Sequence, residues 1–595
     1  MSAAGAVWAP AATTVDLVLV PAGADTFSPA DEHLPLVPDA DRPGWWVPSA
    51  PVPGGWADRR YGFSVDGGPP RPDPRSPRQP AGVHGPSQAV DTSAFAWTDQ
   101  AWPGRLVEGA VLYELHVGTF TPGGTLDSAI ERLGHLRDLG VDMVELMPVA
   151  AFDGEHGWGY DGVHLYAVHE PYGGPAALAR FVDAAHAAGI AVALDVVYNH
   201  LGPSGAYVGV FGPYFTDRHH TPWGQGINVD GPGSTEVRRW VIDNALRWLR
   251  DFHIDALRLD AVHQIADDSP VHLLAELSSA VAELSSTIGR PLALIAESDA
   301  NDPATVTPVA EGGLGMTAQW ADDVHHAIHA LLTGERQGYY ADFGEVDVLA
   351  RALTGAFVHD GGWSTFRGRP WGHPVPEHID GHRFVVFSCD HDQVGNRALG
   401  DRPGSAAHEA GGRDLDLAAA AAALVLTSAF TPMLFMGEEW GASTPWLFFA
   451  DFPDPDLARA VTHGRRAEFA AHGWATADVP DPQDPLTFER SRLDWSEPDD
   501  PRHAQLLSWH RRLVELRRTV PALSSGDRGT VRVHAGPGEG LLIVERGPVT
   551  VAVNLAPSAQ RTPLPAGGDI LASWGESTVA DAVLTVPGRG VAVVG

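Results

Sequence analysis

From about residue 110 onward, short apolar runs rich in β-forming residues alternate with longer amphipathic stretches. Stretches such as "PAALARFVDAAHAAG" and "TEVRRWVIDNALRWLRDF" repeat apolar residues every three or four positions, which predicts helices. Strands that alternate with helices form a parallel sheet, and eight such units over roughly 400 residues predict a (β/α)8 TIM barrel. The eight predicted strands lie in "VLYELHVGTF", "VDMVELMPV", "IAVALDVVYNH", "IDALRLDAVH", "PLALIAES", "MTAQWADD", "HRFVVFSCDHD" and "PMLFMGEE".

The segments on either side of this region contain shorter β-prone runs separated by Pro and Gly. Residues 1–100 include "VDLVLV", "GWWVPS" and "YGFSVDG", which predict a small N-terminal β-sandwich domain. Residues 522–595 include "TVRVHAG" and "LLIVERGPVTVAVNL", which predict a small C-terminal β-sandwich domain. The expected fold class is therefore α/β, with the barrel over residues 101–521 and a loop excursion over its mouth at 201–234.

The charge of the chain argues against two classes of partner. A net charge of −35 repels phosphate backbones and anionic lipid, so we expect no nucleic-acid partner and no membrane partner. The first twenty residues have no basic region before their apolar stretch, so they do not resemble a secretory signal. A cytoplasmic location is therefore expected.

The residue types that are missing exclude several kinds of chemistry. The sequence contains no lysine, which removes a Schiff-base lysine and the lysine of a phosphate-binding loop. The single cysteine, Cys389, excludes an intrachain disulfide framework and a multi-cysteine metal site. No H-E-x-x-H pattern, G-x-S-x-G elbow or glycine-rich dinucleotide motif occurs, so neither a metal nor another cofactor is expected.

Titratable residues accumulate at the ends of the predicted strands, where a β/α barrel has its active site. In "ALRLDAVH" (256–263), Arg258 and Asp260 are two residues apart and so share one face of a strand inside the mouth. The arginine favours the ionised form of Asp260, which suits a nucleophile. Glu297 lies in the apolar context "LALIAES", where burial would raise its pKa, as a general acid requires.

Two carboxylates in different environments are the machinery of glycosidic bond cleavage. Asp392, from the seventh strand, could stabilise the oxocarbenium-like transition state, and His200 and His391 are suited to hydrogen-bonding sugar hydroxyls. Aromatic side chains could stack on pyranose rings. For each residue a structural alternative exists: an arginine–aspartate ion pair, a carboxylate that fixes a loop, or a tryptophan that only packs. The aromatic candidates are Tyr160, Trp223, Trp440 and Trp446.

Four segments, "DVVYNH", "ALRLDAVH", "AESD" and "CDHDQ", resemble the four sequence regions of the α-amylase family of glycoside hydrolases, in the same order. The resemblance covers roughly residues 105–520 and implies cleavage with retention of anomeric configuration. It implies Asp260 as nucleophile, Glu297 as acid/base and Asp392 as transition-state stabiliser. It also implies that four residues line the subsite of the reacting sugar: Asp195, His200, Arg258 and His391. The N-terminal sandwich, residues 1–100, resembles the carbohydrate-binding type domain of the family.

Further stretches carry a narrower resemblance within that family. They include "YELHVGTFTPGGTLDSAI", "GWGYDGVHLYAVHEPYGGP", "QWADDVHHAIHALLTGE" and "LFMGEEWGASTPWLFFADF", and they are similar to members that act on maltooligosyltrehalose. The resemblance implies hydrolysis of the α-1,4 bond next to the terminal trehalose unit, with release of trehalose and a maltooligosaccharide. It also implies a partner in the pathway, maltooligosyltrehalose synthase, which makes the substrate.

Preference for the trehalose end would come from the wall of the mouth beyond the cleaved bond. The segments "QWADD" and "GEEWGASTPW" follow the sixth and eighth strands, so we hypothesise that they contribute to this wall. Carboxylates could accept hydrogen bonds from trehalose hydroxyls, and an indole could stack beneath them; the alternative is that these residues brace loops. The hypothesised wall residues are Asp322, Asp323, Glu438 and Trp440, and Tyr160 and His263 complete the predicted substrate-binding set, with a packing role as the alternative for His263.

The excursion at 201–234 lacks the acidic cluster expected for the structural calcium of amylases, so calcium is not expected, although Asn199 occupies a position that binds calcium in some relatives. Two other functions remain open. A glucan branching enzyme, which transfers a glucan chain instead of hydrolysing it, shares the barrel and the three carboxylates. A catalytically silent glucan-binding protein is the other alternative, and the presence of all three carboxylates argues against it.

Overall fold

The computed structural model describes residues 5–53, 55–402, 415–471, 479–564 and 567–595. Eight parallel strands close into a barrel in which each strand pairs with the next along the chain and the eighth pairs with the first. All eight strands predicted from the sequence are confirmed, and the barrel is the expected α/β architecture. The strands are Leu112–Leu115 (β1), Met143–Leu146 (β2), Ala191–Val196 (β3), Ala256–Leu259 (β4), Ala293–Ala296 (β5), Ala318–Trp320 (β6), Phe384–Val386 (β7) and Thr431–Phe435 (β8).

The inside of the barrel is apolar below the mouth. Alanine side chains on β3 to β6 leave room for the larger rings of Trp320 and Phe387 and for Met433 on β8. Side chains of alternate residues fill such an interior in layers, so the barrel has a packed core and no pore. The charged side chains of the candidate site lie above this apolar core, at the carboxyl ends of the strands.

Helices cover the outside of the barrel. The helix Ser234–Asp251 shows why: Val237, Val241, Ala245 and Trp248 recur every three or four positions and are all buried, which is the apolar stripe of an amphipathic helix. No helix among the described residues is long and apolar enough to cross a membrane. The described helices of at least seven residues are Leu133–Leu139, Gly174–Ala187, Ser234–Asp251, Leu273–Ile288, Asp322–Thr333, Val346–Gly355, Leu415–Leu426, Pro455–Ala471 and Pro501–Thr519.

The N-terminal part of the chain forms an antiparallel six-stranded sheet. Strand Glu32–Pro38 pairs through residues 32–35 with Val15–Val20 and through residues 36–38 with Trp45–Pro48. One strand therefore connects two halves of the sheet, as strands do at the corner of a small sandwich. The spatial order of the strands is Val7–Trp8, Trp45–Pro48, Glu32–Pro38, Val15–Val20, Arg60–Val65 and Ser87–Gln88.

The N-terminal sheet packs against the segment between β3 and its helix. This segment contains a short helix, Val208–Phe211, and a hairpin, Phe215–Thr221 with Gly224–Ile227. The rings of Trp8 and Tyr214 meet edge to face with centroids 5.4 Å apart. The excursion is therefore supported from outside the barrel while its other side reaches the mouth.

The C-terminal part forms a sandwich of a five-stranded and a three-stranded sheet. Ile543 and Ala592 from the larger sheet share one apolar cluster with Leu584 and Val586 from the smaller sheet. The domain boundaries expected near residues 100 and 521 stay a prediction. The strands are Val531–Ala535, Leu541–Arg546, Val549–Asn554, Val591–Val594 and Ile570–Trp574 in the first sheet, and Gln560–Pro563, Val583–Val586 and Thr578–Ala580 in the second.

Candidate active site

A single buried arginine connects the carboxylates at the barrel mouth. Arg258, on β4, is fully buried, and its Nη1 donates to Asp195 Oδ2 at 2.8 Å and to Asp260 Oδ1 at 3.0 Å. Its Nη2 lies 3.4 Å from Glu297 Oε2. The parallel register sets Asp195 opposite Arg258, and Asp260 follows two residues later on the same face. Three carboxylates thus surround one cation.

Asp260 is oriented from two sides. The Nδ2 of Asn199 donates to Asp260 Oδ2 at 2.7 Å and to its main-chain oxygen at 2.8 Å, while Arg258 binds the other carboxylate oxygen. The Asp260 side chain keeps 11% of its surface exposed. A carboxylate that is fixed by donors and open towards the mouth has the arrangement that a nucleophile requires.

Glu297 stands one residue beyond β5 and has a different environment. The backbone N–H of Ala261 donates to Glu297 Oε2. Burial raises the pKa of the Glu297 carboxyl to about 8, against the lowering effect of Arg258 and together with the negative charges of Asp260 and Asp392. Glu297 is therefore protonated at neutral pH, which is the state of a general acid.

Asp392 and His391 stand at the start of a short helix, His391–Gly395, after β7. The Nε2 of His391 lies 3.7 Å from Asp392 Oδ1, and the Asp392 side chain is 44% exposed. On the opposite side of the ring, His391 Nδ1 donates to Glu114 Oε1 at 2.5 Å. Burial lowers the pKa of His391, but the negative charges of Glu114 and Asp392 outweigh it and raise the pKa to about 10.

Tyr160 contacts both Asp195 and His391. Its hydroxyl donates to Asp195 Oδ2 at 2.6 Å, and its ring stacks on His391 with centroids 5.0 Å apart and planes 21° apart. Burial raises the pKa of Asp195 to about 6, although Arg258 opposes the shift. Tyr160 therefore forms part of the wall between Arg258 and His391.

Two further predicted histidines lie at the edge of the mouth. The Nε2 of His200 is 3.0 Å from the Tyr160 carbonyl oxygen, and the His200 ring stacks on Trp223, whose centroid is 4.5 Å away. Trp223 is 54% exposed, so one face of its indole is open to a ligand. His263 lies next to Asp299, with Nε2 3.6 Å from Oδ1.

The four residues hypothesised for the trehalose end differ in their surroundings. Asp322 begins the helix Asp322–Thr333 and is half-buried. Among the residues that the structure describes, no hydrogen bond joins its carboxylate to the protein. Burial raises its pKa well above the usual range, and the nearby charges of Asp390, Glu297 and Asp392 raise it further. Asp322 thus shares the mouth with the other acids and is open to a ligand.

Asp323 faces the protein interior. Its Oδ2 accepts hydrogen bonds from the backbone N–H groups of Val358 at 2.7 Å and His359 at 2.9 Å, and from Asn301 Nδ2 at 2.9 Å. Burial would raise the pKa of Asp323, but contacts with His326 and His359 hold it well below the usual range. These contacts support the bracing alternative for Asp323.

Glu438 and Trp440 also brace the loop after β8. Glu438 accepts hydrogen bonds from Ser388 Oγ and from the backbone N–H of Phe435, the latter at 3.0 Å. Trp440 is 0% exposed, and its Nε1 donates to Glu497 Oε2 at 3.2 Å. Because the indole is fully buried, the structure does not support Trp440 as a stacking face for a sugar. Trp446 is likewise 0% exposed.

The side chains do not fit the calcium site of amylases. The amide of Asn199 donates to Asp260, and its oxygen lies against His200 Nδ1. Among the described residues, one acidic and histidine group has metal-like spacing: His219, Asp230 and Asp268. Arg218 already pairs with Asp230 at 3.2 Å and with Asp268 at 3.1 Å, which places a positive charge where a cation would bind.

Sequence reasoning missed two buried acids on the first two barrel strands. Glu114 and Glu145 stand opposite each other in the parallel register of β1 and β2, and both are buried. Neither carboxylate oxygen of Glu145 has a hydrogen-bond partner in the described part of the chain. Burial raises the pKa of Glu145 well above its usual range. The available signal was a glutamate in the middle of each otherwise apolar run, "VLYELH" and "DMVELM".

Comparisons with known proteins place this geometry in a family. The family model for the alpha amylase catalytic domain matches residues 87–210. The malto-oligosyltrehalose trehalohydrolase of Arthrobacter ramosus is 53% identical over 588 residues, which cover 99% of this chain and 98% of that protein. The chain belongs to the malto-oligosyltrehalose trehalohydrolase family. The predicted resemblance, both to the α-amylase family and to this branch of it, is confirmed.

Two more distant matches cover most of the chain. The malto-oligosyltrehalose trehalohydrolase of Saccharolobus solfataricus is 44% identical over 459 residues, 77% of each chain. A crystal structure from Salmonella typhimurium, provisionally assigned as an alpha amylase, has a TM-score of 0.86 and 38% identity, and the match covers 99% of this chain and 96% of that one. The match to the Arthrobacter ramosus protein spans 99% of this chain, so the similarity to trehalohydrolases extends through the barrel and both flanking sheet regions.

Proposed function

We propose that the chain hydrolyses the α-1,4-glucosidic bond next to the terminal trehalose unit of maltooligosyltrehalose, releasing trehalose and a maltooligosaccharide. Two facts support this function: the chain is similar over nearly its whole length to trehalohydrolases, and its barrel mouth carries the carboxylates that glycoside hydrolysis needs. The observation that carries the chemistry is the contact of Asp260 and Glu297 with one guanidinium, at 3.0 and 3.4 Å.

In the proposed first step, the protonated Glu297 gives its proton to the glycosidic oxygen while an Asp260 oxygen attacks the anomeric carbon. Trehalose leaves, and the maltooligosyl chain stays bonded to Asp260. Glu297, now ionised, then takes a proton from water, which attacks the same carbon and releases Asp260. Two displacements retain the anomeric configuration, and this mechanism needs carboxyl groups only about 5–5.5 Å apart. Carboxylates that contact neighbouring nitrogens of one arginine are suitably close.

The surrounding residues would stabilise the charge that develops on the sugar. We propose that Asp392, with its exposed carboxylate, faces the oxocarbenium-like ring. His391 would donate to a sugar hydroxyl, and the open face of Trp223 would stack on a glucose unit. Both ring nitrogens of His200 face protein oxygens, so His200 would support the Trp223 ring from its other face. Arg258 keeps Asp195 and Asp260 in place through 2.8 and 3.0 Å hydrogen bonds. His263, 3.6 Å from Asp299, would act at the edge of the site.

For the trehalose end, we propose Asp322 as the wall residue that contacts substrate. It is the half-buried acid that lies among the other mouth carboxylates and has no hydrogen bond to the described residues. When protonated, its carboxyl can both donate to and accept from a trehalose hydroxyl. Asp323, Glu438 and Trp440 would act indirectly by holding the loops that form this wall.

The chemistry of the mouth admits a sugar hydroxyl as well as water in the second step. Water as the acceptor, and hence hydrolysis instead of branching, is proposed on the similarity to trehalohydrolases. A synthase that builds the trehalose end of the substrate would act before this enzyme, and a cytoplasmic location for both stays a prediction.

The proposal is tested by incubating the purified protein with maltooligosyltrehalose and, separately, with an uncapped maltooligosaccharide of the same length. Rapid release of trehalose from the first and slow cleavage of the second are expected. The formation of α-1,6 linkages would indicate a branching enzyme. Equal cleavage of both substrates would indicate an amylase without preference for the trehalose end.

A further inference from the structure

We infer that Glu114 is a positioning residue of the hydrolysis, which holds His391 doubly protonated and turned so that its Nε2–H faces the reacting sugar. The inference rests on the proposed function and assigns a role to an acid on β1 that touches no substrate. It depends on the two contacts between Glu114 and His391, on the burial of both, and on the state of the groups around the ring.

Glu114 accepts two hydrogen bonds from His391. The backbone N–H of His391 donates to Glu114 Oε2 at 3.0 Å, and its side-chain Nδ1 donates to Glu114 Oε1 at 2.5 Å. Both residues are 1% exposed. One carboxylate thus fixes the backbone and the ring together. The ring cannot turn without breaking a charge-assisted hydrogen bond, which is about twice as strong as a neutral one.

The same contact determines where the other nitrogen points. With Nδ1 bound to Glu114, Nε2 lies on the side of Asp392, 3.7 Å from Oδ1. Tyr160 stacks on the ring, and Trp446 holds the backbone of His391, since its Nε1 donates to the main-chain carbonyl oxygen at 2.9 Å. Nε2 is therefore directed into the mouth. A neutral imidazole has one N–H, so only the doubly protonated ring donates to both Glu114 and a sugar hydroxyl.

The other titratable groups near the ring do not replace Glu114. Burial lowers the pKa of His116 to about 3, so it is neutral. Burial also raises the pKa of Glu145 and Tyr160 well above their usual ranges, so both are neutral. Asp195 is paired with Arg258. On the helix of His391 itself, burial raises the pKa of Asp390 to about 8, and Asp392 is half exposed to solvent.

The test is the pH dependence of kcat/KM for Glu114→Gln. In the wild type, His391 keeps its proton up to about pH 10, so the alkaline limb follows Glu297 near pH 8. Glutamine keeps the shape but removes the Glu114 charge, which raises the pKa of His391 most strongly, so burial is opposed less and the pKa falls from its raised value. We expect the alkaline limb to move to a lower pH than its wild-type position near 8. A uniform loss of rate with the limb still near 8 would overturn the inference.

Glu145→Gln is the matched control, because it makes the same change at the neighbouring position of β2 and replaces a carboxyl that is already neutral. Its pH profile is expected to match the wild type. A double mutant adds a second check: in a His391→Asn background, Glu114→Gln should cause no further change in the limb. An equal shift in that background would mean that Glu114 acts through another group.

Nitrogen NMR of the histidine ring tests the inference without any substrate. The His391 signal of the wild-type protein, assigned by its loss in His391→Asn, should stay that of a doubly protonated ring up to at least pH 9. Titration near pH 6.5 would overturn the inference, even if Glu114→Gln failed to fold. The NMR measurement needs no catalytic turnover, so its result does not depend on the proposed function. If the proposed function were wrong, the wild-type protein would release no trehalose, whatever the NMR spectrum showed.

Discussion

Replacing Glu297 by Gln should abolish hydrolysis and at the same time stabilise the folded protein. The side chain changes little in size, and the N–H of Ala261 that donates to Glu297 still finds an oxygen acceptor. What changes is that position 297 can no longer release a proton. The variant has no carboxyl to ionise, so it carries no buried negative charge beside Asp260 and Asp392 at any pH.

The size of the change in the free energy of unfolding follows from the pKa of about 8 that burial gives the Glu297 carboxyl, against an ordinary value of 4.5. Between these two pH values the unfolded chain has released the proton while the folded chain keeps it, so the free energy of unfolding falls as the pH rises. Each pH unit in this interval is worth about 1.4 kcal/mol. The wild type therefore loses up to about 3 kcal/mol between pH 4.5 and 7, and up to about 5 kcal/mol by pH 8.

Urea unfolding at pH 4.5, 6 and 7.5 checks this expectation for the wild type and Glu297→Gln. The stability difference should be close to zero at the lowest pH and should grow in favour of the variant as the pH rises. Groups far from Glu297 also titrate in this range, but they are common to both proteins and cancel in the difference. Activity on maltooligosyltrehalose should be lost in the variant at every pH.

A stability difference that does not depend on pH would refute the reasoning, since it would mean that Glu297 releases its proton at the same pH in the folded and unfolded chain. A Glu297→Gln protein that is less stable than the wild type at pH 7.5 would refute it as well. Either result would also remove the physical basis for Glu297 as a proton donor at neutral pH.

Four other substitutions are expected to separate catalysis from bracing. Asp260→Asn should lower kcat by at least about 10³-fold with an unchanged circular dichroism spectrum, since it removes the nucleophile; residual activity within tenfold of the wild type would contradict that role. Asp322→Asn should reduce the preference for capped over uncapped substrate without lowering Tm. Asp323→Asn should lower stability by about 1–3 kcal/mol, because it weakens the acceptor of two buried backbone N–H groups. A loss of stability in Asp322→Asn and a loss of substrate preference in Asp323→Asn would contradict these roles. Trp440→Ala should lower stability by about 3–5 kcal/mol in urea unfolding, and an unchanged stability would show that the indole is not a packed core residue.

The barrel and its carboxylate centre could be predicted because their signals are local. Each barrel strand is buried on both faces and is therefore a short run of apolar residues, which stands out between amphipathic helices. The pairing of Arg258 with Asp260 follows from the two-residue period of a strand, and it is present at 3.0 Å. The raised pKa of Glu297 follows from its apolar neighbours in "LALIAES".

The remaining features depend on contacts between distant parts of the chain. Glu114 matters because closure of the barrel pairs β1 with β8, and the Glu114 side chain then reaches His391, which follows β7 and lies 277 residues later. Trp440 is buried because Glu497, 57 residues further on, folds back over the loop after β8. Asp322 and Asp323 are neighbours in sequence, yet a helix begins there and turns one side chain to the mouth and the other to the interior. No local pattern shows which distant residues these side chains contact.

The most direct test of the central claim is proton NMR of the wild-type protein acting on maltooligosyltrehalose, followed from the first seconds of the reaction. The account predicts that the trehalose signals rise together with the α-anomer of the new reducing end, before mutarotation produces the β-anomer. Initial appearance of the β-anomer would contradict nucleophilic attack by Asp260, and glucose or short maltooligosaccharides without trehalose would contradict cleavage at the trehalose end.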